Sequence, residues 1–351
     1  IPVGSLGMIP IDGCQELGGK VNDYLVKWRK EAVAKTKDDV VFHDYQKETY
    51  IIDAKVPRFG SGEAKGIINE SVRGKDIYLM VDVCNYSLTY SLSGHTNHMS
   101  PDDHFQNLKR VIAAIGGKAR RINVIMPFLY ESRQHKRSSR ESLDCALALQ
   151  ELVRMGVDNI ITFDAHDPRV QNAIPLSGFE TVRPTYQFIK GLLQNVPDLK
   201  IDSEHMMAIS PDEGATGRAI YLANVLGLDM GMFYKRRDYT RIVDGRNPIV
   251  AHEFLGSSVE GKDVIIIDDM ISSGDSILDV AKQLKARKAN RIFAAATFGL
   301  FTNGMKKFDE AYEQGIIHGI LTTNLIYQTP ELLSKPYYIN CDLSKYITLI
   351  I

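Results

Sequence analysis

The stretch Val264-Ile265-Ile266-Ile267-Asp268-Asp269-Met270-Ile271-Ser272-Ser273-Gly274-Asp275-Ser276 constrains the fold more than any other part of this chain. Four consecutive apolar, β-branched residues fit a strand buried on both faces, as in a parallel sheet. Two carboxylates are expected to follow at the strand's carboxyl end, and then a turn rich in hydroxyls. Ile277, Val280, Ala281 and Leu284 recur at i, i+3, i+4 and i+7, which predicts a helix. In an open α/β sheet, ligands bind at the carboxyl ends of strands. Unpaired N–H groups at a helix start, together with the helix dipole, suit a phosphate. Adjacent carboxylates suit vicinal sugar hydroxyls with a hard cation nearby. A phosphorylated sugar satisfies both halves.

This stretch resembles the phosphoribosyl pyrophosphate binding motif of type I phosphoribosyltransferases. The resemblance implies that Asp268 and Asp269 hold the ribose 2- and 3-hydroxyls. It also implies that Ser272, Ser273, Gly274, Asp275 and Ser276 hold the 5-phosphate.

The remaining composition narrows the class. A chain of 351 residues, 44% hydrophobic and 24% charged, has an ordinary globular make-up and is long enough for two cores. A net charge of -1 supplies no global basic field for nucleic acid or a membrane surface. No apolar run approaches spanning length, and no signal peptide is visible. Cys14, Cys84, Cys145 and Cys341 lie far apart without CxxC spacing, as expected of reduced thiols in a cytoplasmic protein.

Strand-like and helical segments alternate along the chain, which predicts an α/β fold with a mainly parallel, helix-flanked sheet in each half. Residues 1–40 are expected to be an N-terminal extension, irregular over 1–20 where Gly and Pro abound and helical over 22–35. A first domain is expected over 41–197, with strands near 40–42, 50–53, 77–83, 122–126 and 159–163. The polar piece 195–202 sets the boundary. A second domain is expected over 198–351, with strands near 206–209, 230–234, 264–267, 292–297 and 320–322. Residues 238–261 read as a long polar stretch.

Further motifs sit around these strands. Arg58-Phe59-Gly60-Ser61-Gly62-Glu63 is a polar turn with one aromatic. Arg133-Gln134 opens a basic loop that runs to 140, and forked guanidinium donors suit phosphate. Asp164-Ala165-His166 follows a strand and would place both side chains on one side if extended. Ser210-Pro211-Asp212-Glu213-Gly214-Ala215-Thr216-Gly217-Arg218 offers small residues whose N–H groups can approach phosphates. Lys235-Arg236-Arg237 ends another strand and can clamp charge on a transferred phosphoryl group. His95, His98 and His104 lie in or just after a polar segment over 84–103 and need no metal to explain them.

In this order the motifs resemble those of the ribose-phosphate pyrophosphokinases, also called phosphoribosyl pyrophosphate synthetases. The similarity runs from about Arg58 to the end. It implies two tandem type I phosphoribosyltransferase-like domains and transfer of the diphosphoryl group of ATP to ribose 5-phosphate, with Mg2+ required. Phe59, Glu63, Arg133, Gln134 and His166 would meet ATP, and Phe59 and Glu63 would do so across a subunit contact, in a homo-oligomer. Asp212, Gly214 and Arg218 would form the pyrophosphate loop. Asp164, His166 and Asp212 would lie near the metal, and Lys235 and Arg237 would be catalytic. Departures from the family pattern are Ser61, His135 in the place of an Asp, Asp238 in the place of a Pro, and the 84–103 segment as an insertion. Two other readings stay open at this point. One is a non-catalytic regulatory relative. The other is a phosphoribosyltransferase that joins phosphoribosyl pyrophosphate to a nucleobase.

Overall fold

Apolar strand runs alternating with amphipathic helices give an α/β fold in the computed structural model, which describes residues 3–35, 44–237 and 249–351, without the side chains of 235–237 and 249–252. The chain forms two units. The first comprises Ile1–Pro184, Asn324–Tyr327 and Asp342–Ile351, and the second Thr185–Thr323 and Gln328–Cys341. The division falls ahead of the polar piece at 195–202, because the helix Thr185–Asn195 buries Phe188 and Leu192 in a core of the second unit.

In the first unit the elements are β1 (Ser5–Pro10), α1 (Gln15–Lys35), β2 (Ala54–Lys55), β3 (Ile67–Ile68), β4 (Lys75–Met80), β5 (Thr89–Leu92), β6 (His95–His98), α2 (Pro101–Ile115), β7 (Arg121–Ile125), α3 (Asp144–Arg154), β8 (Asn159–Phe163) and β9 (Gly178–Val182). Among the described residues, β1, β4, β7, β8 and β9 form one sheet in that order, parallel throughout. The expected irregular start is in fact β1 and the opening of α1. Its glycines permit close packing: a Cβ on Gly18 would lie 2.5 Å from Pro10 Cβ, and one on Gly7 would overlap Ile52. The described part of the 1–40 segment thus contributes a strand and a helix to the first unit. Residues 50–52 run beside β1, Met8 N donating to Tyr50 O (2.7 Å) and Ile52 N to Met8 O (2.8 Å). They make a single bridge in place of the expected strand. The strand expected near 40–42 lies outside the described residues.

In the second unit the elements are α4 (Thr185–Asn195), β10 (Met206–Ser210), α5 (Thr216–Leu226), β11 (Asp229–Arg237), β12 (Ile249–Leu255), β13 (Asp263–Ile271), α6 (Asp275–Ala286), β14 (Ile292–Gly299), α7 (Lys306–Glu313), β15 (Gly319–Thr323), α8 (Pro330–Ser334) and β16 (Tyr338–Cys341). The last helix, α9 (Ser344–Ile350), belongs to the first unit. Among the described residues the sheet order is β12-β11-β10-β13-β14-β15-β16. Only the β12 pairing is antiparallel within it. β12 falls in the expected polar stretch. It is an edge strand, anchored by Phe254, whose ring lies 5.2 Å from that of Phe233 and over Gly231, where a Cβ would have no room.

The organising strand is buried on both faces, as its composition requires. Val264 and Ile266 enter one core with Val280 and Leu284 of α6, while Ile265 and Ile267 enter another with Phe188 and Leu222. From β10 the chain goes first to β11 on one side and then to β13 on the other. That reversal opens a crevice at the carboxyl ends of β10 and β13. In the first unit, β1 is flanked likewise by residues 50–52 and by β4. Among the described residues no helix is long and apolar enough to cross a membrane.

Candidate active site

In the second unit, Asp212, Arg218, Asp268 and Asp269 meet at the β10–β13 crevice. Asp268 and Asp269 lie inside β13, which runs on to Ile271, and not after its end as expected. The backbone ladder continues past them, with Asp268 opposite Ala296 and Met270 opposite Phe298 of β14. Asp269 is buried and its N–H donates to Asp268 Oδ1 (2.8 Å). Burial, followed by the charge of Asp269, pushes the Asp268 carboxyl well above the usual carboxylate range, and Asp212 adds to this. A carboxyl in such a place has strong reason to meet a donor or a cation.

The loop after β13 turns into α6 at Gly274, whose φ of 86° is left-handed. A Cβ there would overlap the Phe308 ring, so the turn needs glycine twice over. Ser272 O accepts from Thr302 N (3.0 Å), which ties the loop to residues after β14. Ser273 Oγ donates to Asp275 Oδ2 (3.0 Å). Asp275 also pairs with Lys307 at 2.5 Å, so its carboxylate is engaged on the protein surface while its N–H stands at the helix start. Ser276 lies in the first turn of α6.

The expected pyrophosphate loop follows β10. Ser210 Oγ donates to Asp212 O (2.6 Å). Asp212 Oδ1 accepts from Gly214 N (2.9 Å) and Ala215 N (3.2 Å), just ahead of α5. The carboxylate therefore occupies N–H groups of the kind an anionic ligand takes. Arg218, on the first turn of α5, reaches Asp269 at 3.7 Å, with both side chains nearly out of water. The fold thus brings Asp212, Arg218, Asp268 and Asp269 together, though 50 residues or more separate the two motifs in sequence.

In the first unit the expected nucleotide residues lie after β7 and β8. Asp164 has φ of 41° and is buried, whereas His166 is exposed. The left-handed turn at Asp164 removes the extended geometry that would have placed both on one side; aspartate tolerates that conformation better than most residues. Arg133 is exposed. Gln134 Nε2 donates to Ser142 O (2.7 Å), closing the basic loop on itself. His135, which stands where the family has Asp, lies 3.6 Å from Asp167 and edge-on to His166, with ring centroids 5.2 Å apart. Asp167 is held down to about 2 chiefly by its hydrogen bonds from Arg169. His135 and Asp167 therefore join the Arg133–Gln134 loop to the His166 loop. Sequence reading missed this pair, because no periodicity relates residues on two separate loops.

Phe59 and Glu63 sit on a closed turn. Phe59 N donates to Glu63 O (2.8 Å) and Gly62 N to Phe59 O (2.9 Å). Phe59 is 53% exposed, with Lys65 Nζ 5.9 Å from its ring centroid, and an exposed ring can receive a flat partner. Of the three histidines in or just after the 84–103 segment, His95 and His98 are exposed on β6, and His104 is buried in α2 with Nε2 2.7 Å from Asn85 O.

Lys235 and Arg237 belong to β11, where Lys235 pairs with His252 and the register shifts between Arg236 and Arg237. They are among the last residues of β11, at the end of a strand as expected. Their side chains, and Asp238, lie outside the described residues.

Comparison with known proteins adds the following. A family profile described as the N-terminal domain of ribose phosphate pyrophosphokinase matches residues 7–156, and a phosphoribosyl transferase domain profile matches residues 180–327. A ribose-phosphate pyrophosphokinase of Pasteurella multocida is 30% identical over 283 residues, covering 80% of this chain and 81% of that protein. One of Vibrio parahaemolyticus is 29% identical, covering 84% and 85%. The crystal structure of phosphoribosylpyrophosphate synthetase from Mycobacterium smegmatis shares the fold, with a TM-score of 0.76 over 99% of this chain and 97% of that one at 20% identity.

Proposed function

The chain belongs to the ribose-phosphate pyrophosphokinase family, and we infer its reaction from that: it transfers the diphosphoryl group of ATP to the anomeric hydroxyl of ribose 5-phosphate. The products are phosphoribosyl pyrophosphate and AMP. The observation that carries the reading within this molecule is the crevice at β10 and β13, where a sugar-phosphate motif and a diphosphate loop share one edge.

The assignment of residues follows the chemistry. Asp268 and Asp269 accept from the ribose hydroxyls, and the N–H groups and hydroxyls of Ser272, Ser273, Gly274, Asp275 and Ser276 receive the 5-phosphate. The anomeric oxygen attacks the β-phosphorus in line. The bond from that phosphorus to the bridging oxygen on the AMP side breaks, and the hydroxyl proton passes to solvent. No protein nucleophile is needed; positioning and charge stabilisation suffice. Lys235 and Arg237 counter the charge that grows during transfer. Asp212 releases Gly214 and Ala215 N–H to the incoming diphosphate, and Arg218 steadies that loop through Asp269. Phe59 stacks on the base and Glu63 accepts from its amino group, while Arg133, Gln134 and His166 meet the nucleotide.

Among the described residues no cluster of three or more His, Cys, Asp or Glu side chains would hold a metal ion. A donor set of isolated carboxylates fits Mg2+, which keeps several waters and binds through one or two carboxylates plus substrate phosphates. From the family resemblance we assign Asp164 and His166 of the first unit, and Asp212 of the second, as residues that would lie near the ion, which would neutralise phosphate oxygens. We place the protein in the cytoplasm, as a homo-oligomer with the Phe59 turn at a subunit contact.

The ribose assignment is tested by Asp269→Asn. Losing a charged acceptor for a sugar hydroxyl should weaken ribose 5-phosphate binding by about 1.5–3 kcal/mol, with a smaller effect on a non-hydrolysable ATP analogue. Isothermal titration measures both. Equal losses for the two ligands would remove Asp269 from the ribose site.

A further inference from the structure

We propose that the β5–β6 hairpin is a brace for the 58–63 turn and thereby sets affinity for the nucleotide base, with Tyr90 as the positioning residue. The proposal rests on the reading of Phe59 as the base-stacking residue. The turn holds itself closed through backbone bonds but leaves Phe59 and Glu63 exposed, so it has no core of its own. Its outside support is the hairpin. The Arg58 guanidinium lies 4.2 Å over the Tyr90 ring. Ser93 N donates to Gly60 O (3.0 Å). Gly62, with φ of 89°, lies against Leu92, whose Cδ1 would be 2.7 Å from any Cβ added there.

Arg58 completes the brace. Its Nη1 donates to Gly62 O (2.8 Å), across the mouth of the turn. Its Nη2 pairs with Asp103 at 3.3 Å, and both side chains are largely out of water. Asp103 is itself fixed as the third residue of the capping box that starts α2. The guanidinium thus lies between an aromatic face and a helix-anchored carboxylate, which suits its flat, forked shape. The hairpin is well made for this. Ser93 and Gly94 at its tip both have positive φ (50° and 83°), the geometry of a tight two-residue turn. Most of its other side chains face water, so its packing is concentrated on the 58–63 turn. Holding Phe59 still before the base arrives lowers the ordering cost of binding.

Two measurements on the full-length chain test this. Steady-state kinetics of Tyr90→Ala should show KM for ATP raised about tenfold, with kcat within about threefold of wild type and KM for ribose 5-phosphate unchanged. Tyr90→Phe, which keeps the ring under Arg58, should restore the wild-type values. Separately, Phe59→Trp in a Trp28→Phe background makes residue 59 the chain's single tryptophan. Its fluorescence anisotropy, read with no substrate present, should fall when Tyr90→Ala is added. Unchanged anisotropy would overturn the brace. Lower anisotropy with an unmoved KM for ATP would overturn its link to the base, and with it the Phe59 reading. Equal rises in both KM values, or no recovery with Tyr90→Phe, would mark a general disturbance and overturn the proposal.

Discussion

Lys235→Ala should lower turnover roughly 10²–10³-fold, the usual effect of removing one preorganised transition-state donor, while leaving both substrates bound. The residue lies in β11, next to β10, whose carboxyl end carries the Asp212 loop. Its place in the strand pairing with His252 is made by backbone, which alanine retains. Negative charge moves toward the bridging oxygen and the transferred group as the reaction proceeds, so a fixed ammonium acts on the transition state more than on the ground state. Circular dichroism should be unchanged, and titrations with ribose 5-phosphate and an ATP analogue should match wild type. Turnover within a few-fold of wild type would take Lys235 off the catalytic list.

Gly274→Ala should produce the largest loss of stability among single methyl additions near the site. A left-handed non-glycine residue costs about 1–2 kcal/mol. The new methyl would also overlap the fully buried Phe308 ring, and overpacking adds about 1–3 kcal/mol. Together these predict a destabilisation of roughly 2–5 kcal/mol, read by calorimetry as a lowered unfolding midpoint. Ribose 5-phosphate binding should fall with it, because the same turn aims the 272–276 N–H groups. Adding Phe308→Leu relieves the overlap and should recover part of the stability. A variant that melts with wild type would show that the turn tolerates a side chain.

What the sequence disclosed depended on how local each signal was. β13 and α6 were legible because burial on both strand faces and a single helix stripe leave patterns in consecutive residues. The strand's true end was not, since two carboxylates look like an exit from the core; the ladder to β14 carries Asp268 and Asp269 onward regardless. β1 was masked by glycines that serve close packing, and β12 by its position at the sheet edge, where one neighbour suffices. The return of residues 324–327 and 342–351 to the first unit has no sequence signature. It rests on distant contacts, such as Tyr327 N to Asp82 Oδ2 (2.7 Å) and Thr348 Oγ1 to Val21 O (3.5 Å). At the site, each motif could be recognised alone, whereas the Arg218–Asp269 and His135–Asp167 pairs required the fold.

The most direct test of the central claim is chromatography of the nucleotide products formed from ATP. AMP should accumulate, and only when ribose 5-phosphate and Mg2+ are both present, because diphosphoryl transfer cleaves the α–β bridge. An ordinary kinase would leave ADP. A phosphoribosyltransferase acting on a nucleobase would leave ATP untouched, and a regulatory relative would form neither product above background. AMP in equal amount with phosphoribosyl pyrophosphate is the expected result; ADP as the main product, or no turnover by well-folded protein across several metals and phosphate concentrations, would contradict it.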